Sequence, residues 1–234
     1  MDKLLDEFLS QYEKEFDFYD MAGRIVAQQL ENRLRASGIR AIVTSRAKNP
    51  ERLKDKIKKR NVTKKYLSIN DIYEDIVDLA GVRVALYFSG ERKEVDKIIR
   101  DQFTLLREPK IFNGTTNPSY NKRFSGYWAA HYRIQIKQSA KDEIKDRYSN
   151  AKIEIQVASV LMHAWSEVEH DLVYKPVRGS ISESENAILD EINGLVLTGE
   201  IALERLQKAI EERIVQSENE FLNHYDLASY LFEE

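Results

Sequence analysis

Four groups of residues in this chain of 234 have the types and spacing to do chemistry together. Asp78 stands just before an alternating stretch, GVRVALYF at 81–88. Glu154 and Gln156 alternate with Ile153, Ile155 and Val157, so the carboxylate and the amide share one face of a strand. Tyr127 and His131 lie four apart on a further predicted strand, again on one face. Arg46, Lys48 and Lys56 supply cations. Such a set suits phosphoryl or pyrophosphoryl transfer. Carboxylates from two strands can hold Mg²⁺, which favours oxygen ligands and leaves room for substrate phosphates. Nearby cations neutralise a polyphosphate, and a strand-borne tyrosine offers a ring for a base to stack on.

Each piece also has a plainer reading. Asp78 caps an element or pairs with Arg83; Tyr127 belongs to the core; His131 is a histidine with satisfied partners. Glu154 and Gln156 form a solvated strand face, and the basic run from Arg46 to Lys65 is a solvated helix. Spacing leaves these alternatives open. Other chemistries drop out sooner. The chain has no cysteine, which removes disulfides, thiolate metal sites and a cysteine nucleophile. His163 and His170 stand seven apart without a third zinc ligand. Neither a GxxxxGK[ST] loop nor a GxGxxG fingerprint occurs.

The elements that must position these groups follow from periodicity. Residues 4–36 read as one long amphipathic helix stopped by Ser37-Gly38. A short strand covers 39–45. Asn49-Pro50 opens a helix through the basic run that fades near 61–63. A short helix is expected over 68–79, a strand over 81–88, a helix over 91–102 and a strand over 103–111. A mobile loop is expected over 113–125, with its Gly, Asn and Pro signals. Strands follow at 127–137 and 152–157. The next helix carries Leu161, Ala164, Trp165, Val168 and Leu172 on its apolar face. A linker at 175–182 leads to helices at 183–216 and 217–232. This order predicts one α/β core with helical additions at both ends: an N-terminal extension over 1–38, a core over 39–176 and a C-terminal extension over 177–234.

Composition fits a globular protein, 42% hydrophobic and 32% charged, with a formal net charge of −3. That small net charge hides the strongly basic block, which is a footprint for an anionic partner. No stretch is long and apolar enough to span a membrane, and the acidic amphipathic start is unlike a secretory signal. The expectation is a cytoplasmic protein.

Four blocks, in order, resemble the synthetase domain of the RelA/SpoT family over roughly residues 40–176. They are Arg46-x-Lys48 followed by Lys56; DLAGVR at Asp78–Arg83; SGYWAAH at Ser125–His131; and EIQV at Glu154–Val157 with Trp165-x-x-x-Glu169-His170-x-Leu172-x-Tyr174-Lys175. The resemblance implies a mixed sheet of nucleotidyltransferase type flanked by helices. It also implies transfer of the β,γ-pyrophosphate of ATP to the 3′-hydroxyl of GDP or GTP, giving (p)ppGpp alarmones and AMP. On it, Arg46, Lys48, Lys56 and Arg83 are ATP-side cations, and Asp78 is the principal Mg²⁺ ligand. Glu154 assists the metal or activates the hydroxyl. Tyr127 stacks on the acceptor base, and His131, Gln156, Lys122 and Arg123 serve the acceptor.

Three departures stand out. Arg52 replaces the usual serine of the first block, Ala158-Ser159 replaces Arg-Thr after EIQV, and Trp128-Ala129-Ala130 precedes His131. The changes at 158 and 128–130 fall at the acceptor end. They keep open two alternatives: a toxic member acting on an adenosine nucleotide or a tRNA 3′ end, and a degenerate nucleotide-binding protein without activity. The terminal helices are the place to expect a second copy or an antitoxin partner. The chain reads as a small, synthetase-only member.

Overall fold

Apolar alternation decides the sheet. In β2 (Ala80–Leu86), Ala80, Val82, Val84 and Leu86 are buried, while Gly81, Arg83 and Ala85 are only partly covered. β6 (Ile153–Ser159) buries Ile153, Ile155 and Val157 on the same side, and β5 (Trp128–Ile136) buries Tyr132, Ile134 and Ile136 there. In this computed structural model, which describes residues 2–113, 128–138, 143–173, 182–216 and 223–232, these strands join β1 (Ala41–Ala47), β3 (Phe103–Leu105) and β4 (Lys110–Asn113) in one mixed sheet. The order is β1-β2-β6-β5-β3, with β4 also on β5. Only β2 and β6 run parallel.

The apolar face of the sheet is covered by α1 (Asp2–Lys14), α2 (Phe16–Ala36) and α5 (Arg92–Gln102). Their Leu5, Phe8, Tyr12, Val26, Leu30, Val95 and Ile99 share one core with the strand residues above. The segment predicted as one helix over 4–36 is therefore two. The backbone leaves helical geometry at Glu15 (ψ 1°), where the Glu15 carboxylate accepts a hydrogen bond from Tyr73 Oη at 2.9 Å. α2 stops at Ser37-Gly38 as expected, with Gly38 at φ 73°, a conformation open to glycine.

The single strand predicted over 103–111 is also two. β3 pairs with Ile134–Ile136 and β4 with Trp128–His131, so the pieces lie end to end along one edge of β5. The expected loop over 113–125 lies almost wholly outside the described residues, as does the linker expected over 175–182.

The opposite face of the sheet is open over β1, β2 and the start of β6. At the far end of β6 it is closed by α7 (Val160–Val173) and the 34-residue α8 (Glu183–Gln216). Ala129, Ala158 and Met162 form a small second core there, with Val196 and Leu197 against it. α8 runs so close to α7 that a Cβ on Gly199 would come within 2.7 Å of Leu161 Cδ1. α7 packs through Met162 and Trp165. The apolar face predicted for it is only partly used, because Val168 and Leu172 are 43% and 54% exposed. α9 (His224–Phe232) follows α8. No helix among the described residues is long and apolar enough to cross a membrane.

Candidate active site

β1 and β2 are antiparallel, with Ala47 opposite Ala80. The chain leaving β1 therefore runs beside the chain entering β2, and Lys48 N–H donates to Leu79 O at 2.9 Å. This juxtaposition brings Lys48 onto Asp78. Tyr12, fully buried in α1, clamps both chains from behind. Its hydroxyl donates to Lys48 O (2.6 Å) and lies within reach of Leu79 O (3.4 Å).

Asn49 then caps α3 (Pro50–Lys64) by accepting from the Glu51 and Arg52 N–H groups, with Pro50 in the first turn. Leu53 and Ile57 are fully buried and fix the rotation of α3. The neighbouring stripe Arg52, Lys56, Lys59, spaced i, i+4, i+7, faces a cleft. Not all of the basic run is spare charge. Arg60 pairs with Asp75 Oδ2 at 2.8 Å, and Tyr66 Oη donates to the same oxygen at 2.6 Å. These bonds tie the end of α3 to α4 (Ile69–Asp75), itself started by a Ser68–Asp71 capping box.

Lys48 Nζ and Lys56 Nζ both donate to Asp78 Oδ2, at 2.5 and 2.6 Å. Burial opposes ionisation of Asp78, but the two ammonium groups outweigh it and bring the carboxyl down to about 2. Burial also lowers Lys56, with Asp78 opposing and Lys48 adding repulsion. The second oxygen, Asp78 Oδ1, is buried without a hydrogen-bond partner.

Two rows of side chains cross the open face of the sheet. In one, Arg133, Glu154, Gly81 and Arg46 are successive register neighbours on β5, β6, β2 and β1. Gly81 leaves the floor open, since a Cβ there would have only Arg46 O, at 3.8 Å, within contact range. In the next row stand Lys110, His131, Gln156, Arg83 and Thr44. The rows bring His131 Nδ1 to 3.3 Å from Glu154 Oε1, and Gln156 Nε2 donates to that oxygen at 2.9 Å. Burial works to raise Glu154, yet the bonds from His131 and Gln156 prevail and its pKa is lowered. Glu154 is thus an oriented, ionised carboxylate.

Apart from Arg133 and Lys110 at the β5 and β4 ends of the rows, these groups line one cleft of about 1070 Å³. It gathers Arg46, Lys48, Lys56, Asp78, Arg83, His131, Glu154 and Gln156, eight of the eleven positions singled out in the sequence. Tyr127, Lys122 and Arg123 lie outside the described residues. α7 supplies the far wall with His163, Ser166 and Glu167, which periodicity did not reveal. Glu167 forms an ion pair with Arg83. His163 Nε2 lies 3.2 Å from Val84 O; a carbonyl only accepts, so this nitrogen carries the hydrogen. Burial lowers the His163 pKa. Their signal was the spacing 163, 166, 167, one face of the helix after the Glu154 strand.

No group of three or more His, Asp or Glu able to hold a metal occurs among the described residues. The donors on offer are the orphaned Asp78 Oδ1 and the Glu154 carboxylate. That suits a hard cation completed by phosphate and water oxygens better than a site made by protein alone.

The family model for the region found in RelA/SpoT proteins matches residues 45–178. GTP pyrophosphokinase YwaC of Bacillus subtilis is 27% identical over 131 residues, covering 56% of this chain and 57% of that relative. The crystal structure of small alarmone synthetase 1 from Bacillus subtilis superposes with a TM-score of 0.62 at 20% identity, over 86% of this chain and 98% of that one. The same synthetase has been solved with its product pppGpp (TM-score 0.59, 19% identity, 85% and 97% covered). A GTP pyrophosphokinase family protein from Streptococcus pneumoniae gives 0.62 at 22% identity, over 87% and 96%. The expected mixed sheet flanked by helices is the fold found, and the chain belongs to the RelA/SpoT family.

Proposed function

We propose that this chain transfers the β,γ-pyrophosphate of ATP to the 3′-hydroxyl of GDP or GTP, releasing AMP. One observation carries the proposal. A deeply depressed carboxylate, Asp78, is held by two ammonium groups with its other oxygen unpartnered, across one cleft from an ionised Glu154. A fold that only packed or only bound a neutral ligand has little reason to keep that arrangement buried.

Lys48, Lys56 and Arg46 are the phosphate cations of the donor. Incoming phosphate oxygens compete for the two ammonium groups and release Asp78 Oδ2. Asp78, with Glu154, would then hold Mg²⁺, which supplies neutralisation of charge on the reacting phosphates. Arg52 and Lys59 extend the cationic rail along the cleft wall. A ribose hydroxyl is a weak nucleophile until its proton has somewhere to go. Glu154, oriented by His131 and Gln156, accepts it. The remainder of catalysis is alignment and charge compensation. Tyr127 is assigned the acceptor base, and Lys122 and Arg123 the acceptor phosphates, from the family motif.

The test offers GDP, GTP, ATP and tRNA together to the purified protein with Mg²⁺ and ATP labelled in the β position. Label is expected in a guanosine tetra- or pentaphosphate. Label appearing in tRNA or an adenosine product instead would replace the acceptor, and no transfer to any of them would end the enzymatic reading.

A further inference from the structure

Asp78 is closed to a metal ion at both of its oxygens. Oδ2 accepts from Lys48 Nζ at 2.5 Å and from Lys56 Nζ at 2.6 Å. Oδ1 is buried without a hydrogen-bond partner, so an aqueous cation does not reach it either. The two ammonium groups are fixed by separate elements. Lys48 follows β1, with its N–H on Leu79 O and its own carbonyl held by Tyr12. Lys56 rides on α3, whose rotation Leu53 and Ile57 set from the core. Two ammonium groups on one carboxylate leave a positive charge in surplus. The side chains of Asp78, Lys48 and Lys56 are only 15%, 23% and 27% exposed, so solvent ions screen that charge poorly. A free divalent cation meets repulsion as well as occupied oxygens, and Mg²⁺ gives up its water reluctantly. A polyphosphate does the opposite. It draws the ammonium groups, cancels the surplus and brings oxygens of its own. Those oxygens are needed, because no group of three or more His, Asp or Glu able to hold a metal occurs among the described residues.

We infer that Lys48 and Lys56 lock the metal site: their grip on Asp78 shuts the carboxylate to divalent cations until a polyphosphate draws the ammonium groups away. The inference rests on the pyrophosphate-transfer reading above and adds a control to that same site. Each lysine has two successive partners, Asp78 in the empty cleft and phosphate oxygens in the filled one. Cation and triphosphate are therefore coupled ligands, and the coupling is reciprocal. The carboxylate meets the cation only when the group to be transferred is present.

The test needs no turnover. Mn²⁺ alone, a stand-in for Mg²⁺ whose free concentration is read by electron paramagnetic resonance, is titrated into the wild-type protein, Lys56→Met and Lys56→Met/Asp78→Asn. Lys56→Met is expected to bind it about tenfold more tightly than wild type, or better. Adding Asp78→Asn should remove the gain. Equal affinity of wild type and Lys56→Met overturns the inference, and so does a gain that survives Asp78→Asn. The Asp78 carboxyl carbon resonance of the wild-type protein gives a second readout, free of any folding defect in the variants. It should hold its position in Mg²⁺ alone and move when Mg²⁺ and a non-transferable ATP analogue are added together. Movement with Mg²⁺ alone overturns the inference, as does none with the two together. Transfer is scored apart. Transfer by a wild-type protein that binds Mn²⁺ unaided at Asp78 defeats this inference alone, while a locked site without transfer to any acceptor defeats the functional reading alone.

Discussion

The two halves of the cleft are built on different terms. On the β1–β2–α3 side the buried charges are paired within the protein, with only Asp78 Oδ1 left without a hydrogen-bond partner among the described residues. Asp78 has two ammonium groups, Asp75 has Arg60 and Tyr66, and Tyr12 fixes both flanking carbonyls from the core. On the β5–β6 side, Glu154 is held by polar groups, Arg133 keeps a buried Nε without a partner, and the face beyond turns apolar at Ala129, Ala158 and Met162. The first half is assembled before any nucleotide arrives. The second is completed by its ligand. A donor polyphosphate can exchange with charges already in place, whereas the acceptor side supplies a base and waits for the group that is transferred. The comparison also locates the departure at Ala158. Where an arginine is usual, this chain has a fully buried alanine under α7 and α8.

The sharpest way to break the comparison is on the assembled side. Asp78→Asn should lower kcat by on the order of 10³, about 4 kcal/mol in the barrier, in a single-turnover assay. The fold should feel it too, with a definite pH signature. The Asp78 pKa is about 2 in the folded protein against 3.8 for an ordinary aspartate. Its contribution to stability is therefore fully present above the ordinary value and is lost as pH falls through about 2. Urea midpoints of wild type and Asp78→Asn should differ at pH 7 and converge toward pH 2. A constant gap would mean that the carboxylate is not charge-compensated as described.

Glu154→Gln tests the other half, with an expected loss of about 10² in kcat and an ATP-analogue affinity close to wild type. Because the Glu154 pKa is lowered, the acid limb of the wild-type rate should lie below the usual glutamate value of about 4.3. A limb near pH 6 would deny Glu154 the role of base. Tyr12→Phe is a smaller probe of pre-assembly. It should cost about 1 kcal/mol in a denaturant titration and should raise KM for ATP more than KM for the acceptor. Arg52→Ser, restoring the common residue on the exposed rim of the rail, should change KM for ATP by no more than about threefold. A larger change would make Arg52 a central phosphate ligand.

Much of the assembled half was legible in the sequence, because its signals are local. Asn49-Pro50 announces α3 and the alternation of β2 announces its buried face; of the other half, Glu154 and Gln156 declare themselves as polar positions on an apolar strand. What stayed hidden depends on distant neighbours. Nothing local in the helical pattern of 4–36 predicts the break at Glu15, whose carboxylate is met by the distant Tyr73. Tyr12 read as one more apolar helix position, and only the fold aims its hydroxyl at Lys48 and Leu79. Arg133 belonged to an alternating strand with no mark of its own until β5–β6 register set it beside Glu154. The division of 103–111 into β3 and β4 reflects pairing along β5, and α7 became the cleft wall only once its orientation over Val84 was known.

The central claim is that this cleft moves an intact pyrophosphate. The direct measurement follows ATP labelled in both the α and β positions with two isotopes, in the presence of GDP and Mg²⁺, and counts products over the first turnovers. The account predicts AMP carrying the α label and a guanosine 3′-diphosphate carrying the β label, formed one for one. ADP as the α-labelled product, or β label released as free pyrophosphate or phosphate, would contradict it.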